Sequence, residues 1–307
     1  MCYIVDLRTV REVKILRYNS SGFFEERLSL LGFGGKCLPR NPDGTVDRKA
    51  SAELFDMAFS GGITYFYCTS VLSDTESEEV FGENLSKRNR DSYFIGSGIS
   101  PLDFRSGAEA EQFINEQLRR FHTGYFDYYV VENFDADSYK RAKEIGLRNI
   151  LRKEKELGRI RRIGFSFTGN HRDWRKFTSG IDWDFAELSA NYLDWESKNI
   201  VFIYHELIKR RLPFFANDPF CRGKLLELAE EHKRILAEAD PLLTLKQWAL
   251  QWFFDKKQML SLVIDSENAA ALSDEIEIMS NPRTINSKKR HALKTVIDLI
   301  SREQNNT

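Results

Sequence analysis

Short apolar runs and longer amphipathic stretches alternate along this chain. LSLLGFGG (Leu28–Gly35), ITYFY (Ile63–Tyr67), SYFIGS (Ser92–Ser97) and FDYYVVE (Phe126–Glu132) read as buried strands. RRIGFSF (Arg161–Phe167), FAELSAN (Phe185–Asn191), LPFFAN (Leu212–Asn217) and LSLVID (Leu260–Asp265) read the same way. Between them the apolar residues recur at helical spacing. In KASAELFDMAFSG, Leu54, Met57 and Ala58 share a face and Gly61 can end the helix. EAEQFINEQLRRF carries Phe113, Leu118 and Phe121, and LTLKQWALQWFFDK is a further helical stretch. SYKRAKEIGLRNILRKEKELG reads as one stretch closed by Gly158. The C-terminal KKRHALKTVIDLISREQNNT carries an amphipathic helix through Ala292, Val296, Leu299 and Ile300, then frays over 304–307.

Strands that alternate with helices imply a parallel sheet. Eight such units in about 250 residues suit a closed α/β barrel, the (β/α)8 or TIM barrel. An open doubly wound sheet is the competitor, but no Gly-x-Gly-x-x-Gly opens the first helix. The expectation is one barrel domain over 1–307, with an N-terminal extension at 1–13, a β-hairpin leading into the first strand, and a C-terminal helix.

Charge and cysteine usage narrow the function classes. The 307 residues include 45 basic and 46 acidic ones, so no global charge draws the chain to nucleic acid or an anionic membrane. The cationic RKEKELGRIRR (Arg152–Arg162) reads as a solvated helix end. Cys2, Cys37, Cys68 and Cys221 are scattered, without the spacing of a zinc site, and no metal is expected. The opening MCYIVDLRTVREVK has no signal-peptide layout and no segment is apolar enough to span a bilayer. The expectation is a cytoplasmic protein with reduced thiols, acting on a small molecule.

Six segments together carry a family resemblance. They are RYNSSGFFEERLSLLGFGG, FSGGITYFYCTSVLSDTESEEVFGENL, LRRFHTGYFDYYVVE, GRIRRIGFSF, ELSANYLDWE and DPFCRGKL. In order and interval they resemble the aldo/keto reductases, and more narrowly the bacterial branch of predicted aldo/keto oxidoreductases, from about Lys14 to about Met279. ELSANYLDWE is similar to that branch's Gln-x-x-Tyr-Asn-Leu-Leu-Asp, and GRIRRIGFSF to its Gly-Lys-Ile-Arg-x-Ile-Gly-Phe-Ser.

The resemblance implies NADPH-dependent carbonyl reduction, with a tyrosine proton donor assisted by a lysine, an aspartate and a histidine. Gap-free alignment of the segments puts other residues at all four positions. Tyr67 stands for the aspartate, Leu72 for the tyrosine, Gly98 for the lysine and Glu132 for the histidine. Leu72 and Gly98 have no side-chain proton to give, and a missing positioned acid typically forfeits about 10²–10⁴-fold in rate.

Tyr67 and Glu132, both at strand tips, are the catalytic candidates that remain, with Cys68, Asp265 and His171 as further groups for acid–base work. A tyrosine and a glutamate without a lysine suit proton transfer better than assisted hydride transfer. The plain alternative is a packed Tyr67, a solvated or ion-paired Glu132 and a Cys68 that serves as a small apolar residue. His122 and His205 read as structural.

For the cofactor, the resemblance implies that Ser166 and Asn191 hold a nicotinamide carboxamide, and it places Arg222, Gly223 and Lys224 near the pyrophosphate. VIDSENAAALSDEIE lacks the basic residue for an adenosine 2′-phosphate, and Asp265, Glu267 and Asp274 make that region acidic. NADPH binding is therefore expected to be weakened or lost, with NADH still possible. Three functional readings stand. The first is a repurposed enzyme of dehydration, elimination or isomerisation type. The second is an NAD(P)H-dependent oxidoreductase with a non-standard proton donor. The third is an inactive relative that binds a nucleotide or a protein.

Overall fold

Eight parallel strands close into a barrel in the order in which they occur in the chain. In the computed structural model they are β1 (Leu31–Gly34), β2 (Tyr65–Tyr67), β3 (Phe94–Ile99), β4 (Phe126–Phe134), β5 (Ile160–Phe167), β6 (Phe185–Ser189), β7 (Phe214–Asn217) and β8 (Met259–Ile264). The structure describes residues 16–18, 22–69, 75–169, 172, 174–178, 182–197 and 200–305. The extension at 1–13, Leu72, His171 and the last two residues of the tail lie outside the described residues. β1 pairs with β8 through Phe33 and Ile264, which closes the ring.

The helices form the outer layer. They are α1 (Arg48–Ser60), α2 (Glu76–Leu85), α3 (Gly107–Arg120), α4 (Ala136–Glu144), α5 (Leu147–Glu156), α6 (Trp174–Thr178), α7 (Asp194–Ser197) and α8 (Ile200–Arg210). α9 (Glu230–Ala239), α10 (Leu245–Gln251), α11 (Ala269–Ser280) and α12 (Ser287–Asn305) complete it. Two differ from the pattern of the sequence. The stretch expected to run unbroken to Gly158 splits at Gly146, whose φ of 67° leaves the right-handed helix and starts α5 on a new axis. LTLKQWALQWFFDK keeps its helix only to Gln251 and tightens into a 3-10 turn over Trp252–Asp255. No helix among the described residues is long and apolar enough to cross a membrane.

The period-two alternation of the strands separates two apolar regions. One face packs on the helices, as with Phe33, Phe66, Tyr129, Phe165 and Leu262. The other fills the barrel, where Tyr65 stacks on Phe215 at 4.3 Å and Tyr128 meets Phe215 and Phe185 edge-on at 4.9 and 5.4 Å. This plug makes the barrel a solid core rather than a pore. Phe24 and Leu28, from the segment before β1, pack against the same cluster. Of the expected hairpin, the described residues show the antiparallel bridge Tyr18–Ser29.

The cations of Arg152–Arg162 are largely paired. Arg159 meets Glu154, Arg161 meets Asp127 and Arg162 meets Glu26, each closer than 3 Å. A satellite cluster with Tyr192, Leu225, Trp248, Leu293 and Val296 ties α12 to the segment that follows β7.

Candidate active site

The C-terminal tips of the strands hold a layer of polar side chains directly above the aromatic plug. Each arises from strand alternation: Tyr67 follows Tyr65, Glu132 follows Val130, Glu187 follows Phe185 and Asn217 follows Phe215, all two residues on and hence on the same inward face. The Tyr67 hydroxyl donates to Glu132 Oε1 at 3.4 Å, and Asn217 Nδ2 donates to Glu187 Oε1 at 2.9 Å. Asp265, just past β8, accepts the backbone N–H of Lys36 at 2.8 Å. Gly35, Lys36, Tyr67, Thr69, Asn217, Val263 and Asp265 line a narrow cleft of about 10 Å³, room for one water-sized group.

Burial over an apolar floor sets the electrostatics. Glu187 is only 7% exposed, and desolvation with the neighbouring Glu132 charge pushes its carboxyl up to about 7. Interactions with Tyr67, Lys36 and Asn217 partly offset that rise. Glu132 is raised by burial, against interactions with Thr69, Lys36 and Tyr67. Asp265 is raised for the same first reason. Tyr67 is 4% exposed, and burial next to Glu187 and Glu132 holds its phenol well above the usual tyrosine range. At neutral pH the phenol is therefore a hydrogen-bond donor and not a ready acid. The two carboxyls, by contrast, titrate as neighbours, so one of them can carry a proton while the other is ionised.

Of the residues singled out in the sequence, Tyr67, Glu132 and Asp265 share this mouth. Cys68 turns outward into the core between barrel and helices, where its Sγ and Phe81 crowd Gly35. Gly98 lies at the end of β3, and a Cβ there would stand 2.7 Å from the Val130 carbonyl and 3.2 Å from Glu132 Cγ. Glu132 thus fills the space beside Gly98. Ser166 pairs in register with Glu187 on β6. Asn191 is 1% exposed, and its amide is engaged with Asp194, accepting from the Asp194 N–H at 2.9 Å and facing Asp194 Oδ2 at 3.3 Å.

Arg222, Gly223 and Lys224 lead into a 3-10 turn of three residues, Lys224–Leu226. The N–H groups around it already have partners within the loop: that of Arg222 on Asp218 Oδ1 at 2.7 Å, and those of Cys221, Lys224, Leu225 and Leu226 on loop carbonyls. Among the described residues no group of three or more His, Cys, Asp or Glu side chains is placed to hold a metal ion.

Three residues of the mouth escaped the sequence reading: Glu187, Asn217 and Lys36. Glu187 left a legible trace, since FAELSAN alternates and its glutamate shares a face with Phe185. It also stands where the similar motif carries glutamine. Asn217 shares a face with Phe215 in the same way. Lys36 enters from the loop after β1 and has no periodic signal.

Comparison with known proteins agrees with this architecture. The profile of the "Aldo/keto reductase family" matches residues 30–294. An aryl-alcohol dehydrogenase [NADP(+)] from Phanerodontia chrysosporium is 24% identical over 235 residues, 68% of this chain; the chain spans 58% of that protein's length. Among solved structures, the holo form of an aldo-keto reductase from Bacillus halodurans superposes with a TM-score of 0.75 at 18% identity, covering 92% of this chain and 96% of that one. An aldo-keto reductase from Klebsiella pneumoniae in complex with NADPH gives 0.72 at 16% identity, covering 92% and 94%. With its family profile matched over nearly the whole barrel, the chain belongs to the aldo/keto reductase family.

Proposed function

We propose that this member of the family has left standard carbonyl reduction and carries out proton transfer on a small molecule at the barrel mouth, in a dehydration, elimination or isomerisation. The observation that carries the reading is the convergence of Glu132, Tyr67 and Glu187 over a water-poor aromatic floor. In an elimination, the ionised Glu132 takes a proton from carbon. The protonated Glu187 gives its proton to the departing hydroxyl, which leaves as water. The C–H pair becomes the new double bond, Glu132 ends protonated and Glu187 ionised, and exchange with solvent restores both. Tyr67 orients the carboxyls by donating its hydroxyl. Positioned acids and bases of this kind contribute about 10²–10⁴-fold each.

The residues at the mouth fit NADPH poorly. Gly98 offers no ammonium, Glu187 puts an acid where the similar motif has an amide, and Asp265 puts a carboxylate in the cleft itself. Around Arg222, the loop N–H groups that would meet a pyrophosphate serve the loop itself. No step is assigned to that cofactor.

A second reading, an oxidoreductase with Tyr67 as donor, has one observation in its favour: Lys36 lines the same cleft as Tyr67. The two carboxylates beside the phenol weigh against it, because they hold its proton more tightly.

Proton exchange separates the two. The purified chain is incubated in D2O with panels of small β-hydroxy and α-hydroxy carbonyl compounds, and C–H exchange or water loss is followed by NMR. The reading expects turnover that Glu187→Gln abolishes and Lys36→Met spares. NADPH-dependent aldehyde reduction that survives Glu187→Gln and is lost in Lys36→Met would establish the second reading instead.

A further inference from the structure

The side chains around the narrow cleft at the mouth have already spent their donors. The Tyr67 hydroxyl donates to Glu132 Oε1 at 3.4 Å, and the Thr69 hydroxyl bonds to the same carboxylate. Asn217, 9% exposed, commits its Nδ2 to Glu187 Oε1 at 2.9 Å. What it has left for the cleft that it lines is its carbonyl oxygen Oδ1, which has no partner among the described residues. Asp265 takes the Lys36 N–H on Oδ1 at 2.8 Å, and its Oδ2 is likewise without a partner among them. An amide carbonyl and a carboxylate oxygen can only accept, and an acceptor held away from water without a donor is costly.

Charge points the same way. Within the lining, Asp265 and Lys36 offset each other. One hydrogen bond behind it stand Glu132 and Glu187, held by Tyr67 and Asn217 of the lining. With Glu187 protonated the four groups sum to one negative charge, and with Glu187 ionised, above about pH 7, they sum to two. Lys36 does not supply the missing donor. It is exposed, its backbone N–H is the group that meets Asp265, and its ammonium forms no ion pair with a described carboxylate.

The cleft of about 10 Å³ has room for one water-sized group. A primary ammonium has that size, carries the opposite charge and brings three N–H donors. A hydroxyl brings a single donor and no charge, and a carboxylate brings no donor at all. We propose that the mouth selects a small molecule bearing a primary ammonium, which enters the cleft between Asp265 Oδ2 and Asn217 Oδ1. The proposal rests on the proton-transfer reading for its chemistry and narrows the substrate class to β-hydroxy carbonyl compounds that carry such a group. The ammonium makes and breaks no bond in the elimination; it anchors the molecule beside Glu132 and Glu187.

The test uses the full chain and two racemic probes of matched shape, 4-amino-3-hydroxybutanamide and 3,4-dihydroxybutanamide, which differ only in an ammonium against a hydroxyl. Binding is read by calorimetry, and water loss by the absorbance of the conjugated amide that forms. The expected result is binding of the ammonium probe at least about ten-fold tighter at neutral pH. Asp265→Asn keeps an acceptor for the Lys36 N–H but turns an amide donor to the cleft, and should bring the two affinities together. Lys36→Met removes a like charge and should tighten the ammonium probe several-fold. Circular dichroism establishes that the variants are folded, and Lys36→Met, at an exposed position, retains the test where the change at Asp265 disturbs the mouth. Equal affinities, no binding of either probe, or a preference unchanged in both folded variants overturns the proposal. A preference for the ammonium without water loss or C–H exchange from either probe would sustain the selection and sink the proton-transfer reading. Equal turnover of both probes would sustain that reading and sink the selection.

Discussion

Gly98 and Glu132 oppose each other across the seam between β3 and β4, where a Cβ on Gly98 would stand 3.2 Å from Glu132 Cγ and 2.7 Å from the carbonyl of Val130. The glycine and the glutamate are one packing solution: the side chain missing on β3 makes the space that the β4 carboxylate takes. Gly98→Ala is therefore expected to destabilise the barrel by about 1–3 kcal/mol, as overpacked cores do. A urea midpoint equal to that of the unaltered chain would show that the seam can open. Gly98→Lys carries the same Cβ and is expected to gain no carbonyl reduction.

Stability should fall as pH rises through the neutral range. Glu187 is raised from its ordinary value to about 7, so its contribution to stability is fully present below the unfolded carboxyl pKa and is lost as pH climbs through about 7. Glu132 and Asp265 are raised too and act in the same direction. The Glu187 part is on the order of 3 kcal/mol at its fullest. Glu187→Gln should flatten the decline between pH 5 and 8, measured by denaturant unfolding at each pH (about one pH unit apart). An identical slope in the variant sinks this account of Glu187.

The same substitution bears on the cofactor. Glu187→Gln removes a buried acid from the mouth and supplies the amide found in the similar motif, so NADPH affinity should rise several-fold from a weak starting value. Fluorescence titration of both proteins reads this directly. Low-micromolar binding by the unaltered chain would contradict the fit argued from Glu187, Asp265 and the Asp218 loop.

A buried polar network behind the mouth holds the end of β3. Gln117 Nε2 lies 2.9 Å from Glu78 Oε1, 3.1 Å from Ser97 Oγ and 3.1 Å from the Gly98 carbonyl. Tyr129 donates its hydroxyl to Gln117 Oε1 at 2.6 Å. Gln117→Leu strands the Tyr129 hydroxyl and the Gly98 carbonyl away from water. The expected loss is about 1–3 kcal/mol for each stranded group. Thermal unfolding of the variant reads it, with Gln117→Glu as the partner that keeps an acceptor for Tyr129.

The barrel was legible because it rests on local regularities. ITYFY, FDYYVVE and LSLVID alternate with helical stretches, an order that implies parallel pairing, and eight such units suit closure. Tyr67, Glu132 and Asp265 could be placed at strand tips by counting from those runs. Two helical stretches end differently from the pattern of the sequence. Gly146 adopts a left-handed conformation inside an otherwise helical pattern, and the helix begun at Leu245 passes into a 3-10 turn at Trp252.

Determined by the sequence itself, then, were the alternation of strands and helices and the inward face of each strand. Tertiary structure alone decided which tips meet. Glu187 becomes an acid–base candidate only because β6 brings it beside Glu132, Tyr67 and Asn217 over an aromatic floor. Lys36 reaches the cleft only because β1 closes on β8. Desolvation and through-space charge depend on what surrounds a group in three dimensions, and neither is written in the spacing of residues along the chain.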